Sequence, residues 1–235
     1  MKRLLVFLFL ISLDAFSGSI GDRLGNAFRK AYQSKVFLYS LGGAAALHVT
    51  KQDQKIADYA FKEQPIFNGN GINHSDFFWD TMRIVSLLSA LPHEDRAYRF
   101  GMTASSMFLA TNSVVVTKAN FKRPIPNDTD KDQDNPSLHA SDSFNAARLI
   151  TYNIQDLYPD VDHSHNYLPW IGASLAGWAR IEDGAHYPGD ILISAAMGDF
   201  AGIFVYELFY PSSIGEQRQT FFRLSPNYLG FSHHY

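Results

Sequence analysis

A run of twenty residues, Ile191 to Tyr210, carries only two charged side chains, Asp199 and Glu207. A stretch that long and that apolar either crosses a bilayer or lies as a helix inside a bundle. Three features argue for the bundle. The two carboxylates interrupt the run, the mean hydropathy of the whole chain is slightly negative, and most other helical stretches carry several Ser, Thr, Asn, Arg or His residues. The reading is an interior helix of an exported protein, with membrane association as the alternative.

The remaining segments agree with a helical fold. Residues 19–34 form an amphipathic entry segment, and Val36 to His48 reads as a buried helix whose Gly42-Gly43 pair permits close approach of a neighbour. Lys51 to Lys62 reads as helical and exposed. Gln64 to Ser75 carries Pro, Gly and Asn at turn spacing, so Ser75 or Asp76 is expected to cap the next helix. Helices follow over Phe77–Leu91, Arg96–Asn120, Ser137–Leu157, Tyr167–Ala179 and Pro188–Tyr210, with loops at Pro124–Pro136 and Tyr158–Asn166. No stretch shows sustained strand alternation, and the fold class expected is all-α, a helical bundle.

With 235 residues, one domain is the simplest count. Met1-Lys-Arg followed by the apolar run Leu4–Leu13, with small residues before Gly18, reads as a secretory signal peptide over residues 1–17, leaving 18–235 as a single domain. The formal charge of −3 and scattered Lys and Arg give no footprint for nucleic acid. The absence of cysteine removes both a disulfide framework and a thiol nucleophile.

Polar residues gather at three helix ends. These are Lys118…Arg123, Pro136-Ser137-Leu138-His139, and Arg180-x5-His186-x3-Asp190. Pro188 suits the first turn of a helix, which puts His186 at the helix mouth and Asp190 one turn in, so a carboxylate four residues on can hold the imidazole. Taken singly, each station has a bland explanation: a helix-ending cation pair, a capped start, a loop ion pair. Together they supply cations, two histidines, a hydroxyl and a carboxylate, a set suited to binding and transferring a tetrahedral dianion.

The second and third stations resemble the last two signature motifs of the type 2 phosphatidic acid phosphatase superfamily, which includes bacterial class A acid phosphatases, membrane lipid phosphatases and vanadium haloperoxidases. The resemblance covers roughly residues 77–210 and implies a bundle of about six to eight helices. It implies that His186 is the nucleophile, Asp190 its orienting partner and His139 the general acid. It further implies that Lys118, Arg123, Ser137, Leu138 and Arg180 bind phosphate, with no metal or cofactor. Departures are plain in the residues: Ile125-Pro126 stands where the first motif has Arg-Pro, and Arg123-Pro124 comes two residues early. Leu138 replaces a usual Gly, and Ala179 a usual Ser.

Two other polar stretches carry less. Asp160 to His165 has metal-friendly residue types, but nothing in the sequence closes a coordination geometry there. Asn127 to Asn135 starts like a calcium loop, yet from Asp128 the turn glycine would be Gln133 and the bidentate glutamate His139, so it reads as an acidic loop beside the site. The expected function is an exported phosphatase, periplasmic or secreted, acting on a small-molecule or lipid phosphate monoester. The alternatives are a vanadate-dependent haloperoxidase-like oxidoreductase and a degenerate, non-catalytic member.

Overall fold

The structure is a computed structural model that describes residues 19–160, 166–210, 221–225 and 228–232; for the strands at 128–134 and 221–232 the description is of the backbone. Residues 1–17, the segment expected to be a signal peptide, and His163 and His165 lie outside the described residues. Among the described residues there are eight helices: α1 (Ser19–Tyr32), α2 (Lys35–Val49), α3 (Gln52–Glu63), α4 (Gly71–Ser89), α5 (Arg96–Lys118), α6 (Leu138–Leu157), α7 (Leu168–Glu182) and α8 (Pro188–Phe209). Two short antiparallel hairpins join them, β1 (Lys122–Ile125) with β2 (Asp128–Asp134) and β3 (Phe221–Ser225) with β4 (Tyr228–Ser232). The protein is all-α.

At the centre α6 packs along α8. Around them α4, α5 and α7 lie on α6, while α1, α2 and α5 lie on α8. Small residues make the central approach possible. A Cβ on Gly198 would stand 2.1 Å from the Ser141 carbonyl oxygen and 2.9 Å from the Asn145 nitrogen, so glycine is required where the two backbones meet. The core follows the same economy of size: Ala146, Ala147 and Ile150 of α6 pack with Met82 and Ala173, and Leu149 packs with Met102, Val205 and Tyr206. Helix α8 is long and apolar enough to cross a membrane, but 61% of its apolar window is buried inside the fold.

Four local expectations differ from the structure. Helix α4 begins at Gly71, with Asn70 at its N-cap. Ser75 is therefore no cap. It is fully buried, its hydroxyl 3.5 Å from the Ala176 carbonyl of α7. Helix α2 is buried only at Ser40 and Ala44, because it meets α8 along one side; Leu38, Tyr39 and Val49 are exposed. Of its glycine pair, Gly43 faces Leu192 at 3.1 Å and Gly42 faces nothing. Helix α3, expected to be exposed throughout, buries one face made of Asp53, Ala57 and Ala60. The loop after α5 is a hairpin whose β2, Asp-Thr-Asp-Lys-Asp-Gln-Asp, has no apolar alternation to announce a strand.

Candidate active site

The turn between α7 and α8 sets the geometry. Helix α7 ends at Glu182, and Gly184 takes the left-handed conformation that stops a helix (φ 69°). The chain then doubles back, the amides of Ala185 and His186 donating to the Arg180 carbonyl at 3.1 and 3.3 Å. That fold-back places the base of Arg180 beside His186. Pro188 opens α8, and Asp190 caps it by accepting from the Tyr187 N–H at 3.1 Å. The Oδ2 of Asp190 lies 3.9 Å from His186 Nδ1, too long for a hydrogen bond and close enough for electrostatic influence. His186 and Asp190 are 4% and 3% exposed, so their coupling is little screened by water.

Opposite this turn is the start of α6. Ser137 is its fully buried N-cap, accepting from the Ala140 N–H at 3.4 Å, and its own N–H donates to the Ser194 hydroxyl at 2.7 Å. Ser194 in turn donates to the Asp190 carbonyl at 2.6 Å, which ties the two helix starts together. Leu138 and His139 form the first turn of α6, where backbone N–H groups and the helix dipole favour an anion. His139 lies against Trp79, ring centroids 4.7 Å apart, and its Nε2 is 2.9 Å from Asp76 Oδ1.

The cations arrive from three elements. Arg180, in the last turn of α7, is mostly buried; Nη1 is 3.4 Å from Asp183, and its buried Nε has no hydrogen-bond partner among the described residues. Lys118 is the last residue of α5. Arg123, on β1, donates from Nη1 to Asp190 at 3.0 Å and from Nη2 to Asp53 at 2.8 Å, with its guanidinium 3.5 Å over the Tyr187 ring.

Electrostatics link these parts. Burial lowers the His186 pKa, and Arg180 and Lys118 push the same way against the opposing pull of Asp190. His139 is also lowered, first by burial and then by Arg180, with a smaller contribution from His186; Asp76 raises it. One neighbourhood therefore holds both histidines, Arg180 and Lys118. Asp53, Asp76, Trp79, Asp183 and Ser194 join it without belonging to any sequence motif. Asp53, Asp76 and Trp79 meet Arg123 and His139 from far along the chain, so spacing could not have revealed them, whereas Asp183 and Ser194 are within a helical turn of Arg180 and Asp190.

A helical bundle with two histidines and several cations gathered at helix ends has the frame of a protein that handles anionic esters. Residues 99–213 match the profile of the PAP2 superfamily. Comparison with curated proteins and with solved structures gives no significant match.

Proposed function

We propose that the protein is an exported, metal-independent phosphatase that hydrolyses phosphate monoesters, of small molecules or of lipids, through a phosphohistidine. The match of residues 99–213 to the PAP2 superfamily supports phosphatase chemistry at the coarse level. The observation that carries the finer reading is the electrostatic neighbourhood of His186, His139, Arg180 and Lys118, with a buried Arg180 N–H left for an acceptor.

The turn presents Nδ1 of His186 to Asp190, so Nε2 is the attacking atom. Nε2 forms a bond to phosphorus as the P–O bond to the alkoxide breaks, and His139 gives that alkoxide its proton, releasing an alcohol. Water then attacks phosphorus, His139 takes a proton from it, and the N–P bond breaks to return His186 and inorganic phosphate. Lys118, Arg180, the Ser137 hydroxyl and the Leu138 N–H hold the equatorial oxygens, stabilising charge as it develops. Arg123 belongs to the same expected set, and its two carboxylate partners bear on its part below.

The test is hydrolysis of 4-nitrophenyl phosphate in the presence of a chelator. Wild-type protein is expected to turn over and to accumulate an acid-labile, base-stable phosphoprotein. His186→Ala abolishes both, and His139→Ala lowers kcat by about 10²–10⁴-fold, the usual weight of a general acid. Equal activity of wild type and His186→Ala overturns the mechanism.

A further inference from the structure

Asp53 stands outside every motif and outside the segment matched to the superfamily. It lies in the first turn of α3, is 5% exposed, and touches the site twice. Its Oδ1 accepts from the Gly189 N–H at 2.7 Å, and its Oδ2 accepts from Arg123 Nη2 at 2.8 Å. A Cβ on Gly189 would stand 3.1 to 3.4 Å from that carboxylate, so glycine leaves room for the approach. Arg123 then passes the contact on, its Nη1 donating to Asp190 Oδ1 at 3.0 Å, while the other oxygen of Asp190 accepts from Tyr187 N–H and faces His186. The chain of contacts runs Asp53, Arg123, Asp190, His186.

We propose that Asp53 and Arg123 are positioning residues for the nucleophile. They fix the Asp190 carboxylate, and through it the His186 ring, from the side away from the phosphoryl group. This assignment rests on His186 being the nucleophile.

Two physical arguments carry it. Charge comes first. The Asp53–Arg123–Asp190 group sums to one negative charge, so Arg123 has little attraction left for a dianion, whereas among the described residues Arg180 is paired with Asp183 alone, at a longer 3.4 Å. Geometry comes second. The terminal nitrogens of the guanidinium fork are each directed at a carboxylate, and the Tyr187 ring lies under its face. Without Arg123, the Asp190 carboxylate would keep, among the described residues, the Tyr187 N–H alone as a holding donor and would be free to turn from the imidazole.

Full-length Asp53→Asn, Arg123→Gln and the double variant test the assignment, with kcat, KM and the inhibition constant of inorganic phosphate measured separately. Asp53→Asn keeps an oxygen for the Gly189 N–H. Displacing a reacting group by about 1 Å costs roughly 10²-fold, so each single variant is expected to lose about 10- to 100-fold in kcat. KM and phosphate inhibition should stay within about twofold, and the double variant should be less impaired than the product of the singles, as expected of residues acting through one contact.

The pH profile separates positioning from a general structural effect. His186 feels Asp190, Arg180 and Lys118. Removing the Arg123 cation should raise the pH of the acid limb of kcat/KM, and removing the Asp53 charge should lower it. Silent Asp53→Asn, combined with an Arg123→Gln variant whose KM and phosphate inhibition constant rise together, makes Arg123 a phosphate ligand and overturns the proposal. Loss of thermal stability without a change in kcat also overturns it. Failure of wild type to form a phosphohistidine overturns the underlying mechanism instead.

Discussion

Burial holds both histidines below the ordinary value near 6.5, and the consequence for catalysis is a preference for acid. In the proposed mechanism His139 must carry a proton to serve as general acid, so kcat/KM is expected to fall as pH rises through its lowered pKa. His186 must be neutral to attack, so activity also falls when pH drops far enough to protonate it. Asp76 raises the His139 pKa. Asp76→Asn should therefore move the alkaline limb to lower pH and leave the acid limb nearly in place; an unmoved alkaline limb contradicts this account. Stability has a related sign. The unfolded chain protonates His186 near pH 6.5 and the folded one resists, so the unfolded state binds more protons in that window and the fold loses stability as pH falls through it. Residues such as His186, Asp190 and Ser137 were legible because their contacts are local or at helix starts. Asp53 and Asp76 were not, since their partners Arg123 and His139 stand 70 and 63 positions away.

Among the described glycines, the tightest clearance is at Gly198, where α8 meets α6. Gly198→Ala forces a methyl against backbone atoms that have no rotamer to yield. Overpacking of a tight core costs about 1–3 kcal/mol, and this variant is expected at the upper end, read as a lower denaturant midpoint. A Gly42→Ala change is the control, because nothing lies within 4 Å of its Cβ position. Apart from the start of α4, which lies six residues before the expected Phe77, the helices were legible to within a few residues, since each is long and carries apolar or small residues at helical spacing. The hairpins were not. Strand signals depend on an apolar face at period two, and the β1–β2 ribbon pairs Lys122, Arg123 and Pro124 with Asp134, Gln133 and Asp132. The same ribbon delivers Arg123 to Asp190, so the least legible element holds the most informative site residue.

At the scale of the molecule, the charges that interrupt α8 are paired. Asp199 is fully buried, with Arg148 Nε at 2.7 Å, Arg148 Nη2 at 2.6 Å and the Ser34 hydroxyl at 2.5 Å. Glu207 accepts from Lys30 Nζ at 3.0 Å. Stripping one partner from a buried pair costs about 3–5 kcal/mol, so Asp199→Ala should be strongly destabilising in a denaturation titration. Replacing Arg148 with Met in the same chain should recover part of the loss. Recovery will be incomplete, because Arg148 also lies over the rings of Tyr152 and Trp170. If the double variant is weaker than Asp199→Ala alone, the pair is not the source of the cost.

Helix α8 is apolar around its whole circumference, and a smooth apolar cylinder has no preferred angle of rotation about its own axis. Its carboxylates remove that degeneracy. Asp190, Asp199 and Glu207 are held by β1, α6 and α1 in three directions, so they act as keys that index the helix to a single azimuth. A turn of one residue about the axis, about 100°, would carry Asp190 away from His186 and Arg123, and would also turn Gly198 away from the Ser141 carbonyl that only glycine can meet. The polar interruptions in an otherwise apolar run thus set which way the first turn of the helix points the Asp190 carboxylate.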